Sequence, residues 1–266
     1  MEWRYRNQLD WRLVLIGLTE SVEQYTSRGY TSLSMAKAYT TFRRFGMPFS
    51  TTPRARVCST ARACRAIASA RALYPGCEWK VFRALQIAWF TTQLLLDEDQ
   101  AIFEAIEMFT NLNAKEILAN IDSPEVEEAY QLDRAEARTA SGSATEFQGK
   151  AAQTDGTVRY TAPSLIFEHQ SIRFEAGGFQ PVEVYDSLIS NMNSLLTRQA
   201  NPETPQPLFK YFSEGLTTQE VAALITQGND LPDQNSAEQF LLELSAEKII
   251  RRMPLGDSAL WVPITS

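Results

Sequence analysis

The stretch Arg159–Ile166, RYTAPSLI, places one proline directly before an apolar run and continues into FEHQSIRFEAGGFQPVEVY. Two short runs, Ser164–Glu168 and Ile172–Ala176, are separated only by the turn residues HQS. Such closely spaced apolar runs predict an antiparallel hairpin. A glycine pair then interrupts the chain, and Pro181 opens an amphipathic helix.

Upstream of this hairpin the sequence is mainly helical in pattern. Glu2–Arg6 alternates aromatic and charged residues, which predicts a strand, and Trp11–Leu18 fits either a strand or a helix. Apolar residues at helical spacing then predict an all-helical block from about residue 33 to 140. Its helices are predicted at 33–45, 54–73, 79–96, 97–109, 113–120 and 123–140.

The end of the chain has a different organisation. Residues 198–213, which include RQANPETPQP, are polar and proline-rich, and they predict a linker. Beyond it we expect two helices, Thr217–Thr226 and SAEQFLLELSAEK, followed by a hairpin that turns at Gly256 and Asp257. Two helices before a hairpin predict a small winged-helix-like unit at 214–266.

Bulk composition limits the classes of function. The 266 residues carry a formal net charge of −7, which argues against general nucleic-acid binding. No apolar run approaches the roughly 20 residues of a membrane span, and the charged, aromatic start differs from a signal peptide. We therefore expect a cytoplasmic protein that binds neither membranes nor nucleic acid.

Charge is unevenly distributed along the helical block. Residues 40–83 hold nine basic residues and one acid, whereas residues 97–147 hold thirteen acids and three basic residues. These segments either neutralise one another, form solvated faces, or provide a basic rim for an anionic substrate. On the last interpretation, Arg62 and Arg65 are the candidate anion-binding residues.

The three cysteines, Cys58, Cys64 and Cys77, form no C-x-x-C motif. If Cys58 and Cys64 share a helix, their separation of roughly 9 Å is too long for a disulfide. No ligand spacing typical of zinc is present, so we expect no metal and no cofactor. Buried reduced thiols are one interpretation; a reactive Cys58 or Cys64 flanked by arginines is the other.

The single histidine, His169, falls in the predicted turn, where a catalytic role is not expected.

The strand EWRYR, the helical insertion, YTAPSLIF, the second hairpin strand and GGFQPVEVY together resemble the DsbA-like, FrnE-type branch of the thioredoxin superfamily. This resemblance covers roughly residues 1–197. It implies an α/β, thioredoxin-like fold with a large all-helical insertion at about 33–140. With the linker and the C-terminal unit, it predicts a domain at 1–197 followed by a second at 214–266.

The resemblance also implies a site. The proline of the TAP loop is cis in that superfamily, and its loop faces the redox cysteines and pairs its backbone with an extended substrate. Pro163 and Ala162 are the matching residues here, and Thr161 and Tyr160 would line the substrate-binding site. The alternative is a trans proline that opens a strand, a position where proline is well tolerated.

The dithiol that this family uses is absent from the chain. The family fold begins with a strand and a C-x-x-C motif at a helix N-terminus, and this sequence begins at the strand matched to EWRYR. One expectation is that Met1 is an internal residue of a longer protein. The other is that the chain is a short relative in which thiol exchange is lost, so the resemblance leaves open whether it is an enzyme.

Three classes of function follow from these observations. The first is thiol–disulfide oxidoreduction on a protein or a low-molecular-weight thiol or disulfide. The second is non-enzymatic, a thioredoxin-like scaffold whose cis-proline loop and C-terminal tail bind partners. The third is a small-molecule isomerase or transferase of the same fold. The C-terminal unit is acidic, with eight acids against three basic residues, so a protein-docking or homodimerising role is expected there rather than DNA binding.

Overall fold

The computed structural model describes residues 1–154, 156–228 and 230–264, and its architecture is mixed α/β with small sheets. The chain forms two compact units. The first joins Met1–Gly17 to Glu127–Ala200, and the second joins Leu18–Val126 to the residues from Asn201 onward. This division crosses the predicted linker at 198–213; whether 1–197 and 214–266 fold as independent domains stays a prediction.

The regular elements lie in the following order. The helices are α1 (Glu2–Tyr5), α2 (Val22–Thr26), α3 (Ser32–Tyr39), α4 (Ala61–Leu73), α5 (Glu78–Thr91), α6 (Asp99–Phe109), α7 (Ala114–Asn120), α8 (Pro124–Ala137), α9 (Ala144–Phe147), α10 (Val182–Met192), α11 (Gln206–Tyr211), α12 (Thr218–Ile225) and α13 (Gln234–Ala246). Short 3-10 helices cover Arg6–Gln8 and Thr40–Phe45. The strands are β1 (Ser164–His169), β2 (Ile172–Gly177), β3 (Leu216–Thr217), β4 (Ile250–Leu255) and β5 (Ser258–Pro263). Of the helices in the described ranges, none has the length and apolarity that a membrane span requires.

The predicted hairpin is confirmed and forms the centre of the first unit. β1 and β2 pair antiparallel, from Ser164 opposite Gly177 to His169 opposite Ile172. Because side chains alternate along a strand, Phe167 shares one face with Leu165 and with their partners on β2. That face packs with α1 and α10 in a core cluster that contains the buried residues Tyr5, Phe167, Ala176 and Ile189.

The predicted strand at Glu2–Arg6 is wrong, because the chain forms the single helical turn α1 there. Trp3 and Tyr5 are both buried, but by different partners. The indole N–H of Trp3 donates to the carbonyl of Ala200 at 2.9 Å, and the Tyr5 hydroxyl donates to Asp186 at 2.5 Å. The alternation therefore reflects burial on two sides of one turn rather than a pleated strand.

The helix predicted from Arg54 begins only at Ala61. The preceding residues are tied to other segments: the carbonyl of Thr19 accepts from the N–H groups of Thr60 and Ala61, and the N–H of Ser59 donates to Asp97. Long-range hydrogen bonds thus replace the helical ladder in this alanine- and arginine-rich stretch. Cys58 lies outside α4, so the helical spacing argument about its distance from Cys64 does not apply.

The C-terminal part of the second unit contains α11, β3, α12, α13 and a hairpin. The three-stranded sheet has the order β3-β5-β4, and the indole of the fully buried Trp261 donates to the hydroxyl of Thr218 at 3.0 Å. Helix α11 occupies the predicted linker, and its Leu208 is fully buried. Pro207 lies in the first turn of α11, where proline is favourable, so prolines that suggested a linker instead begin a helix.

Within the second unit, the C-terminal elements bind directly to the helical segment. Arg83 of α5 forms a two-pronged ion pair with Glu220 of α12, at 2.7 and 2.8 Å. At the hairpin turn, the carboxylate of Asp257 accepts the N–H of Phe49 at 3.0 Å. These contacts join α12 to α5 and the turn between β4 and β5 to Phe49.

Candidate functional site

The loop that precedes β1 is held from both sides within the first unit. Arg159 forms an isolated antiparallel bridge with Ala152, and the N–H of Tyr160 donates to the carbonyl of Ala137 at 2.9 Å. The hydroxyl of Thr161 donates to the carbonyl of Lys150 at 2.8 Å. These bonds join the loop to the last residue of α8 and to the segment that follows α9, so the start of β1 has a defined position.

The peptide bond between Ala162 and Pro163 is cis, as the family resemblance implies. Both residues are exposed, whereas Thr161 is half-buried and Tyr160 is buried. The four predicted substrate-binding residues are adjacent in the sequence, but they differ in their exposure to a ligand. Ala162 and Pro163 are accessible to a ligand, and Tyr160 supports the loop from beneath.

Tyr160 is supported by a carboxylate that sequence reasoning missed. Glu175 of β2 accepts hydrogen bonds from the Tyr160 hydroxyl at 2.8 Å, from the Thr145 hydroxyl at 2.8 Å and from Arg173 at 3.3 Å. Burial alone would raise the pKa of Glu175, but hydrogen bonds from Thr145, Tyr160 and Arg173 outweigh it, so this pKa lies below its ordinary value. The strand alternation indicates that Glu175 and Arg173 share a face, but only the tertiary structure brings Tyr160 to them.

Replacing Tyr160 by phenylalanine should lower the free energy of unfolding by about 1–2 kcal/mol, because Glu175 loses one donor to its charged form. A depressed carboxyl pKa adds stability above the unfolded pKa, and this stability is lost as the pH falls through the folded pKa. The deficit should therefore be largest near neutral pH and shrink in acid. Urea unfolding across this pH range measures it, and Tyr30→Phe, at an exposed tyrosine, is the matched control. A deficit that grew in acid would contradict this interpretation.

Among the described residues, the outer edge of β1 has no partner strand. In the described residues β1 pairs with β2 alone. A two-residue turn closes the hairpin, so His169 and Ile172 form a hydrogen-bonded pair, and the bonded pairs then alternate along the ladder. Ser164, Ile166 and Glu168 therefore direct their N–H and C=O groups away from β2, in line with the exposed Ala162–Pro163 step.

The predicted anion-binding residues lie in the second unit, and both contact carboxylates. Arg62 donates to Asp99 at 2.7 and 2.9 Å and also to Asp122, and its pKa is raised by the hydrogen bond to Asp99. Arg65 lies 3.4 Å from Glu20. These contacts support mutual neutralisation of basic and acidic segments, and a substrate anion would have to displace the carboxylates.

The cysteines all belong to the second unit and are free thiols. Cys58 is buried, and this burial raises the pKa of its thiol, although Arg54 partly opposes the shift. A raised pKa makes a thiol less nucleophilic near neutral pH. Within the ranges that the structure describes, no cluster of three or more His, Cys, Asp or Glu side chains could hold a metal ion.

The arrangement at Ala162–Pro163 thus combines an exposed proline loop with an adjacent row of backbone donors and acceptors. It contains no cysteine, and His169, which was expected in the hairpin turn, is instead the last residue of β1. Chemically it can hold an extended polypeptide through main-chain hydrogen bonds.

Comparison of the chain with protein-family models and with curated proteins finds no match.

Proposed function

We propose that this protein is a DsbA-like member of the thioredoxin superfamily whose Ala162–Pro163 loop and β1 edge bind an extended segment of a polypeptide. The observation that carries the proposal is the open edge of β1 beside the exposed loop. Adding a strand to such an edge gives affinity through main-chain hydrogen bonds. The binding requires no nucleophile from the chain.

Support for the thioredoxin-like assignment comes from the order of elements after residue 160. A cis proline is followed by an antiparallel hairpin, by Gly177 and Gly178, and by helix α10, which packs on the hairpin. This is the order that the DsbA-like resemblance implies for residues 160–192. The strand expected at Glu2–Arg6 is a helical turn, so the assignment rests on the later segment.

Thiol–disulfide exchange is the activity that the resemblance implies. Its chemistry needs a thiolate with a depressed pKa. The sequence contains no C-x-x-C pair, and Cys58, whose pKa is raised by burial, does not meet that requirement. Partner binding is therefore the function favoured for this chain, and reduction of insulin by dithiothreitol, with and without the protein, tests the oxidoreductase alternative.

For the C-terminal elements we propose a winged-helix-like arrangement that serves as a docking module within the second unit. Support comes from the acidic helix α13, whose exposed residues include Glu238 and Glu243. Phosphate backbones attract the opposite charge, so a DNA-reading role for α13 is not favoured. The carboxylate of Asp257 in the hairpin turn already accepts the N–H of Phe49, so this turn is not available to enter a DNA groove.

Binding at the β1 edge should be weakened by Glu168→Pro, which removes one outward N–H without disturbing the ladder to β2. The probe is fluorescein-labelled α-lactalbumin, reduced and carboxymethylated so that it stays extended, and fluorescence anisotropy gives its Kd. Loss of one main-chain hydrogen bond should raise the Kd about fivefold.

The matched control is Arg173→Pro, at the residue directly opposite on β2. Its N–H points to the other edge of the same hairpin, and both variants lose the Arg173–Glu168 ion pair. Arg173→Pro also loses the bonds from Arg173 to Glu175 and to the Tyr160 hydroxyl, so it is the more disruptive change of the two. The proposal requires Glu168→Pro to bind more weakly than Arg173→Pro. Equal affinities, or no binding of the probe by the unmodified protein, would overturn it.

A further inference from the structure

The surface formed by α3 and the 3-10 helix that follows it is basic and partly apolar. Lys37, Thr40 and Arg43 follow one another at three-residue spacing, so they share one face, and Leu33 lies one turn before Lys37. All four residues are exposed, Leu33 by 56%. Residues 24–77 contain no aspartate or glutamate, so no acid nearby along the chain offsets this charge.

The two basic side chains of this face keep their charge. In the described part of the chain neither Lys37 nor Arg43 forms an ion pair. The guanidinium carbon of Arg43 lies 5.0 Å from the centre of the Phe49 ring. A ring face orients the guanidinium group but does not neutralise it. The face therefore presents positive charge beside an exposed leucine.

Helix α13 presents the opposite charge. Glu238, Glu243 and Glu247 are exposed, and none of them forms an ion pair among the described residues. Leu242, one turn after Glu238, is 53% exposed. The last turn of α13 contains no basic residue, although carboxylates near a helix C-terminus oppose the helix dipole. A cationic partner would remove this local disadvantage.

The two charged segments meet inside the second unit. Gln234, the first residue of α13, donates a side-chain N–H to the carbonyl of Gly46, directly after the 3-10 helix, at 3.2 Å. A basic and an acidic surface thus adjoin without pairing within the chain. Such a surface is complementary to its own copy, because a two-fold axis brings each basic part to an acidic part.

We propose that this protein forms a two-fold dimer in which α3 and its 3-10 helix in one copy pack against α13 of the other. Lys37 and Arg43 would meet the glutamates of α13, and Leu33 and Leu242 would be buried between them. A nucleic acid or an anionic lipid surface would meet the carboxylates of α13 beside the basic residues, so charge favours a second copy. The inference rests on the docking role proposed above for the C-terminal elements and names its partner.

Sedimentation velocity on the full chain tests the dimer, whose mass should be twice 30.0 kDa. One variant, Lys37→Glu with Arg43→Glu, makes the basic face acidic. A second variant, Glu238→Lys with Glu243→Lys, makes the α13 face basic. Each variant places like charges at both contacts of its own dimer, so each should raise the dimer Kd at least about a hundredfold.

Mixing the two variants provides the decisive measurement. In the mixed dimer both contacts again join opposite charges, so an equimolar mixture should dimerise although neither variant does so alone. Recovery in the mixture would also show that both variants are folded. Lys115→Glu with Lys210→Glu, at exposed lysines of α7 and α11, makes the same change in net charge as the first variant and should leave the dimer Kd unchanged.

Three results would overturn the proposal: an unmodified protein that stays monomeric up to about 100 µM, a dimer that the reversals do not weaken, or a mixture that stays monomeric. Binding of the monomer to phosphatidylglycerol vesicles or to a single-stranded oligonucleotide, lost in the first variant, would assign the surface to another partner and also overturn it. Labelled α-lactalbumin should bind all the variants equally, so failure at the β1 edge is detected separately.

Discussion

Replacing Arg83 by methionine should lower the free energy of unfolding by about 2–3 kcal/mol. Breaking a buried ion pair by removing one partner costs about 3–5 kcal/mol, and we reduce this value because roughly a quarter of each side chain is solvent-exposed. Glu220 would remain charged among buried neighbours. Arg83 also donates to the carbonyl of Gly215 at 3.1 Å, so α5 would lose two links to the C-terminal elements.

The pH dependence follows from the pKa of Glu220. Burial alone would raise this pKa, but the charge and hydrogen bonds of Arg83, together with Thr217, outweigh it and lower the pKa. The ion pair therefore stabilises the protein above the unfolded pKa, and its contribution disappears as the pH falls through the folded pKa. The difference between the unmodified protein and Arg83→Met should accordingly narrow in acid.

Urea unfolding monitored by tryptophan fluorescence measures both effects. Arg44→Met is the control, because Arg44 is exposed and stacks on Phe45 without a carboxylate partner among the described residues. Surface substitutions of this kind usually change stability by no more than about 0.5 kcal/mol. Similar losses in the two variants would mean that the Arg83–Glu220 pair does not hold the C-terminal elements in place.

Replacing Gly256 by alanine should lower the free energy of unfolding by about 2–4 kcal/mol. Gly256 has a φ of +51°, and a left-handed conformation costs an alanine about 1–2 kcal/mol. An added Cβ would also lie 2.5 Å from the carbonyl oxygen of Phe49, which is backbone and cannot turn aside. The hairpin turn would have to move away from the segment that it contacts.

Gly228 is a matched control for this substitution. Its φ is +58°, nearly the same as that of Gly256, but an added Cβ would meet nothing within 4 Å. Gly228→Ala should therefore lose only the conformational part, about 1 kcal/mol. Thermal unfolding of both variants compares them directly. An equal loss of unfolding free energy would show that the close approach of the added Cβ to Phe49 does not contribute to the destabilisation.

Local elements were predictable where their causes lie within a few residues. The hairpin at residues 164–177 follows from alternation around a short turn, and its predicted strands agree with the observed ones to within one residue. The helix that begins after Thr217 is capped by Thr217 and Glu220, which bond each other's backbone as the sequence TTQE predicts. The cis bond before Pro163 was expected from a resemblance rather than from spacing.

Predictions failed where a distant partner decides the conformation. Glu2–Arg6 alternates like a strand, but bonds to Ala200 and Asp186 make it a helical turn. The stretch from Arg54 to Thr60 has helical composition, but bonds to Thr19 and Asp97 hold it out of the helix. Partners so far away along the chain leave no periodic signal.

The candidate sites divide in the same way. The loop at 160–163 could be located from the sequence, because a proline before an apolar run is a local feature. Which arginines pair with carboxylates could not be predicted, because Arg62 and Arg54 lie in similar stretches of the sequence. Carboxylates that are 37 and 60 residues away neutralise Arg62, whereas Arg54 meets only backbone carbonyls and aromatic rings.

Helices and strands were predictable where their caps, turns and periodicity lie within one element, since these depend on neighbouring residues and short-range sterics. The pairing of charges and the hydrogen bond from Tyr160 to Glu175 became visible only in the folded chain. These features depend on which segments meet in space. Contacts between distant segments form where they bury apolar area and satisfy polar groups, and the order of residues in the sequence does not show which segments will meet.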